Sequence, residues 1–149
     1  MMRQLIALTM FLALAFGGFQ AEAEPQPQFA QWVSDLRAKH GLGPVRNNAK
    51  LQRTAELHAQ DMAKRNFFSH KGSNGSTVGK RSKKMGYRYC KISENIALGQ
   101  KTAQAAMNDW IKSSGHLKNM LMRGGTEIGV ARTSQNHWVM VIAGPYRSC

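Results

Sequence analysis

The order of patterns along this chain predicts a single α+β domain built in three layers. Helical periodicity comes first, the tail switches to strand alternation, and the last strand is apolar on both faces. A strand of that kind belongs in the middle of a sheet with helices on either side.

The first helix follows a proline-rich start at Pro25 and Pro27. Phe29, Trp32, Val33 and Leu36 recur at i, i+3, i+4 and i+7, and the stripe ends near His40-Gly41. Gly41 to Asn47 read as a turn. Asn48 then caps a second helix whose inner face carries Leu51, Ala55, His58 and Met62. His58 therefore sits on or beside an apolar stripe, and a hydrogen-bonded core or boundary histidine is a better reading of it than a ligand. Phe67-Phe68-Ser69-His70 closes this helix and leads into a loop from Lys71 to Ser76.

Val78, Arg81, Ser82 and Met85 share one face of a short basic helix that Gly86 stops, and the pairs Lys80-Arg81 and Lys83-Lys84 read as a solvated face. Tyr87 to Ala97 leans towards strand and ends by Gly99. Thr102 caps a third strong helix with Ala103, Ala106, Met107, Trp110 and Ile111 on one side, and Trp110 is expected in the core. Ser113-Ser114-Gly115 breaks it ahead of a short segment from His116 to Met120. Glu127 to Ala131 and His137 to Ala143 then form an antiparallel hairpin around Thr133-Ser134-Gln135-Asn136. In its second strand Val139, Val141 and Ala143 alternate with Trp138, Met140 and Ile142, so neither face is polar.

Ahead of the domain, Met1 to Ala23 has the parts of a cleavable secretory signal peptide in order: Arg3, an apolar run from Leu5 to Phe16, and Ala21-Glu22-Ala23 as the cleavage site. The apolar run falls short of the roughly 20 residues that cross a bilayer. No later stretch is long enough, and neither cysteine lies near the cleavage point to carry a lipid. The expectation is a leader over 1–23 and a soluble, monomeric domain over 24–149, secreted or periplasmic. Its 126 residues suffice to bury about two-thirds of the unfolded surface without a metal or several disulfides.

The mature domain keeps the formal charge of +13, because one Arg and one Glu leave with the leader. In an exported protein this favours anionic envelope partners, phosphorylated glycans or lipid head groups, over nucleic acid. The same excess would also serve solubility alone. Two cysteines in an exported chain point to one disulfide, Cys90 to Cys149, which by loop entropy contributes about 4 kcal/mol. Two free thiols are the alternative that a reducing compartment would favour. With no C-x-x-C, redox catalysis is not expected.

Several familiar chemistries are excluded by spacing. Gly75 to Lys80 resembles a phosphate loop, but the first glycine would fall at Asn74 and the hydroxyl residue is replaced by Arg81. There is no H-E-x-x-H and no G-x-S-x-G. What remains is four polar residues at element edges: His70, Glu94, His116 and Glu127. Two imidazoles with one or two carboxylates could bind a divalent metal such as zinc, with His70 and His116 as ligands, or share protons in acid and base chemistry. A helix start would also keep the His116 ring neutral.

Five motifs in order give these residues a context: His-Ala-Gln-Asp-Met at 58–62, Phe-Phe-Ser-His at 67–70, Glu-Asn-Ile-Ala-Leu-Gly at 94–99, Trp110 with Ser-Gly-His-Leu-Lys-Asn-Met-Leu at 114–121, and Thr-Glu-Ile-Gly-Val at 126–130. From about Phe29 to Gly144 the chain resembles the bacterial branch of the CAP superfamily of cysteine-rich secretory proteins, antigen 5 and pathogenesis-related proteins, also called SCP domains. The resemblance implies an α-β-α sandwich with a cleft of two histidines and two acids. It also implies export, frequent lack of an established activity, and association with lipid or sterol, with divalent metal and with proteolysis. By motif, His70 and His116 match the cleft histidines and Glu94 matches the acid of Glu-Asn. The second acid of eukaryotic members lies three residues after the tryptophan, where this chain has Ser113. Glu127 is the candidate to take its place.

Three functional readings follow. The first is a non-enzymatic binding module for an envelope lipid or glycan, with metal as a modulator. The second is a metal-assisted esterase or protease, with His70 or His116 as base. In the third, Glu94 only braces the fold and the cleft is vestigial.

Overall fold

The computed structural model describes residues 22–149, so most of the expected leader lies outside the described residues. The elements run β1 (Ala23–Pro25), α1 (Phe29–Ala38), β2 (Arg46–Asn47), α2 (Ala49–Arg65), α3 (Val78–Lys84), β3 (Tyr89–Leu98), α4 (Ala103–Lys112), α5 (Ser114–Met120), β4 (Glu127–Thr133), β5 (His137–Pro145) and a terminal 3-10 turn (Tyr146–Ser148). Two helix starts form as their cap residues dictate. Asn48 accepts from the amides of Lys50 and Leu51, and Thr102 accepts from that of Ala105.

β5 lies between β4 and β3 and is antiparallel to both, the central place that its two apolar faces demand. The even-numbered residues of the hairpin, Ile128, Val130, Trp138, Met140 and Ile142, pack with Phe29, Val33, Trp110 and Met120 from α1, α4 and α5. The odd-numbered ones, Ala131, Val139, Val141 and Ala143, pack with Leu51, Ala55, Ala59 and Met62 of α2. The fold is thus an α+β sandwich of helices, sheet and helices.

Two short strands depart from the sequence reading. Ala23–Pro25 pairs antiparallel and Arg46–Asn47 pairs parallel with β4, sharing its outer edge. Neither is long enough to show periodicity, and Pro25 is tolerated because it closes an edge strand. Ala23, the expected last residue of the leader, is 7% exposed and pairs with Thr133, so the leader boundary meets the fold at a residue the sheet already uses.

Three fastenings hold the layers. Gly129 lets α2 lie directly on β4, since a Cβ there would collide with the backbone of Leu51 and Gln52. Buried Arg37 of α1 donates to the carbonyls of Gly43, Met120, Met122 and Gly125, tying the end of α5 and the approach to β4 to the first helix. Cys90 and Cys149 are joined with Cα atoms 5.3 Å apart, within the span a bridge requires, which fixes the terminal turn to β3.

Gly129→Ala tests the closeness of the α2 contact. The methyl has only backbone to push against, so unfolding in urea should show a loss of about 1–3 kcal/mol with an unchanged slope.

Candidate functional site

Glu94 sits near the middle of β3, paired across from Val141, and its side chain therefore points to the α2 face of the sheet. The side chain is only 2% exposed. An unpaired carboxylate there would be strongly unfavourable, and two groups meet it. Arg81 Nη2 of α3 donates to Oε2 at 2.6 Å, and His70 Nδ1 lies 2.9 Å from Oε1. A carboxylate can only accept, so Nδ1 carries the proton and His70 presents the lone pair of Nε2 outward, on a side chain that is 59% exposed. Among the described residues no serine, threonine or cysteine side chain bonds the His70 ring.

The loop carrying His70 is fixed by the same arginine. Arg81 Nη1 donates to the carbonyls of Ser76 at 2.7 Å and of His70 at 3.1 Å. The reading of Lys80-Arg81 as solvated is corrected here. Lys80 is exposed, but the Arg81 side chain is 11% exposed, because it turns inward to neutralise Glu94. The signal was present in the sequence, since Arg81 shares a face with Val78, Ser82 and Met85.

His58 is buried behind this pair. Its Nε2 lies 2.9 Å from the Ser69 carbonyl and 3.9 Å from Glu94 Oε1, so the core histidine also backs the acid. Burial lowers its pKa; attraction from Glu94 opposes that shift, and Arg81 adds to it. The ring is therefore neutral and donates from Nε2 to Ser69, while Nδ1 has no partner.

His116, in α5, comes to the site around the edge of β3. The Asn95 side-chain amide donates to its carbonyl at 3.0 Å, and the Asn119 amide donates to the Glu94 carbonyl at 3.1 Å and the Asn95 side chain at 2.8 Å. Burial and the neighbouring His70 ring lower the His116 pKa, which keeps it neutral, and the residue stands in the first turn of α5. Glu127 is on the same sheet face as Glu94, but on β4, beyond β5. It accepts from the Tyr87 hydroxyl at 2.5 Å, and burial together with this bond pushes the Tyr87 pKa up. Among the described residues, no hydrogen bond or ion pair joins the Glu127 side chain to that of His70, Glu94 or His116. Ser113 is the junction between α4 and α5, its carbonyl accepting from the Leu117 amide.

Those positions decide how well the residues suit a divalent metal. Both oxygens of Glu94 are engaged and a guanidinium stands beside them, so the carboxylate orients His70 and does not reach out as a ligand. Among the described residues no group of three or more His, Cys, Asp or Glu side chains is arranged to hold a metal ion. Two imidazoles completed by water would make an exchangeable site, not a closed structural one.

The sequence profile of the CAP family, described as the cysteine-rich secretory protein family, matches residues 31–143. The chain belongs to the CAP family. The Bacillus subtilis protein YkwD, itself described as uncharacterised, is 37% identical over 94 residues, which are 63% of this chain and 37% of that protein. The CAP chain thus spans little more than a third of that relative's length. A crystal structure of an extracellular protein with an SCP domain from Bacillus anthracis superposes with a TM-score of 0.74 at 26% identity, covering 78% of this chain and 39% of the other. An outer surface protein of Borrelia burgdorferi gives 0.72 at 17% identity, with 83% and 98% covered, and shares the fold.

Two outcomes test the site. Arg81→Ala should cost about 3 kcal/mol in chemical denaturation, the usual result of stranding a buried charge, and Arg81→Lys should recover only part, because one ammonium cannot serve all three acceptors. Stability should also fall between pH 7 and pH 5. The unfolded chain takes up protons below a histidine pKa of about 6.5, whereas His58, His116 and His137 resist them when folded, so the stability present above that pH is lost as it drops. Melting temperature against pH reads this, and His58→Gln should flatten the slope.

Proposed function

We propose that this CAP domain is an exported binding module that holds an anionic component of the cell envelope, a lipid head group or a glycan, at the His70–His116 face. The observation that carries the reading is the state of Glu94. Its two oxygens are taken up by His70 and Arg81, so the one family acid retained here serves as an internal brace for an outward-facing imidazole. The hollow at His70 is also lined by Lys71, and that ammonium, together with a divalent ion held on the outward Nε2 lone pair, would attract an anion, which suits capture more than acid and base catalysis by paired carboxylates. The formal charge of +13 supports the same choice of partner, and the extracellular description of the Bacillus anthracis relative supports export. No helix among the described residues is long and apolar enough to cross a membrane. A divalent ion on His70 Nε2 and His116 would add positive charge for the anion.

A hydrolytic reading draws on one contact, the 2.9 Å His70–Glu94 bond, which holds the imidazole as a base in the way a buried acid orients a catalytic histidine. It would have to act on water.

The deciding experiment is mass spectrometry of what stays bound when the protein is purified from its native envelope. A retained lipid, glycan or metal fits the proposal, whereas an empty protein that also turns over no ester or peptide supports a purely structural role. Zinc should raise the melting temperature of the wild type, by an amount set by RT ln(1 + [L]/Kd), and leave a His70→Ala, His116→Ala double variant unmoved. An equal response in both removes metal from this face.

A further inference from the structure

A hollow of about 380 Å3 lies between β3, α5 and the turn that follows α5, and it shares no lining residue with the hollow at His70. Lys91 of β3, Lys118 of α5 and Arg123 of the turn line it, with Ile92, Leu121 and Met122 as its apolar surface. We infer that this hollow is a binding site for a small soluble phosphomonoester with an apolar organic part. The inference goes beyond the reading of the His70 face and stands without it.

No carboxylate lines the hollow, and the three cations are exposed. Among the described residues none of them enters an ion pair, a side-chain hydrogen bond or a ring contact, whereas Arg53, Arg65 and Arg81 each meet an acid. A singly charged ligand would leave most of this excess unmet. A phosphomonoester carries about two negative charges near pH 7 and three strong acceptor oxygens, one for each cation.

The backbone holds those cations in place. Arg123 sits in a turn fixed by Arg37, which donates to the carbonyls of Met120, Met122 and Gly125 around it. The same turn packs on β5 where Gly144 has no side chain, since a Cβ there would collide with the Gly124 carbonyl. On the facing wall, a bulge between Tyr89 and Lys91 falls at the cysteine tied to the chain end, and bulges re-aim the side chains beside them. Lys91 stands opposite Gly144, and its Cδ lies 3.8 Å from where a Gly124 Cβ would be. At the floor, Ala143 opposite Ile92 gives its carbonyl to the Thr126 amide on the β4 side. Ile92 therefore turns its own N–H away from β5, to the open edge of the sheet, as a fourth donor.

The rim decides between a free ester and a lipid head group. The exposed large apolar side chains, Phe68, Leu98, Ile111 and Tyr146, lie outside the lining, so the hollow lacks the apolar border that would seat it on a bilayer. Its volume is at the low end for ligand pockets, which suits a small molecule.

Titration of the isotope-labelled folded protein with phenyl phosphate, phenyl sulfate and inorganic phosphate, followed by backbone amide shifts, tests the inference. Phenyl phosphate should shift the amides of residues 91–93 and 118–123. It should bind about tenfold more tightly than phenyl sulfate, which has the same ring and one charge, the factor that one charge-assisted hydrogen bond supplies. It should exceed inorganic phosphate by about tenfold as well, for which burial of about 60 Å2 of the ring suffices. Lys91→Gln and Arg123→Gln should each weaken it about tenfold. Lys84→Gln removes the same charge from an exposed position on α3 and should leave the affinity unchanged. Phenyl sulfate or inorganic phosphate binding as tightly as phenyl phosphate would mark a site for simple anions. Equal weakening by Lys84→Gln would mark attraction by the whole charge of the domain, and no shift at these amides would mark a face kept basic for solubility. Any of these results overturns the inference.

Discussion

The Glu94 carboxylate is carried by a strand into the face of a sheet, where 2% of its side chain meets solvent, and everything on that side of the molecule is arranged around making it tolerable. Desolvating such a charge costs several kcal/mol, which an ion pair repays only with good geometry and its remaining lone pairs met. Arg81 and His70 meet those terms, one on each oxygen. Because Arg81 also holds the carbonyls of His70 and Ser76, satisfying the acid shapes the loop and so aims the imidazole. His58 closes the rear of the cluster. One buried charge thereby links α2, α3, β3 and the loop between the first two.

The opposite side of the sheet uses a different device for the same problem. Arg37 is buried among backbone carbonyls, four of which it serves, and burial pushes its pKa down. It anchors the segment between α5 and β4, and α5 in turn delivers His116 to the edge of β3 through Asn95 and Asn119. Both histidines of the face are therefore positioned by side-chain bonds to backbone, not by the helices alone.

Much of this was legible in the residue order. Helix stripes, the caps Asn48 and Thr102, the hairpin and the central place of β5 follow from local periodicity and capping chemistry, which act within a few residues. His70 and Glu94 were legible as motif residues, as was the pairing of Cys90 with Cys149 from their count. The burial of Arg81, the contact of His58 with Glu94 and the strands at Ala23 and Arg46 were not. Each depends on partners far along the chain, or on elements too short to have a period.

The sequence by itself determined the order and type of the long elements, the CAP family and the two histidines and one acid of its motifs, because these are written in local spacing. Only the tertiary structure decided which charges meet. It turned Arg81 from a member of a basic run into the partner of a buried carboxylate. It held Glu127 of β4 to Tyr87, with β5 between it and Glu94, and it left His58 Nδ1 buried without a partner. The physical reason is that burial sets the worth of a charge, and burial is a property of the assembled layers rather than of any segment.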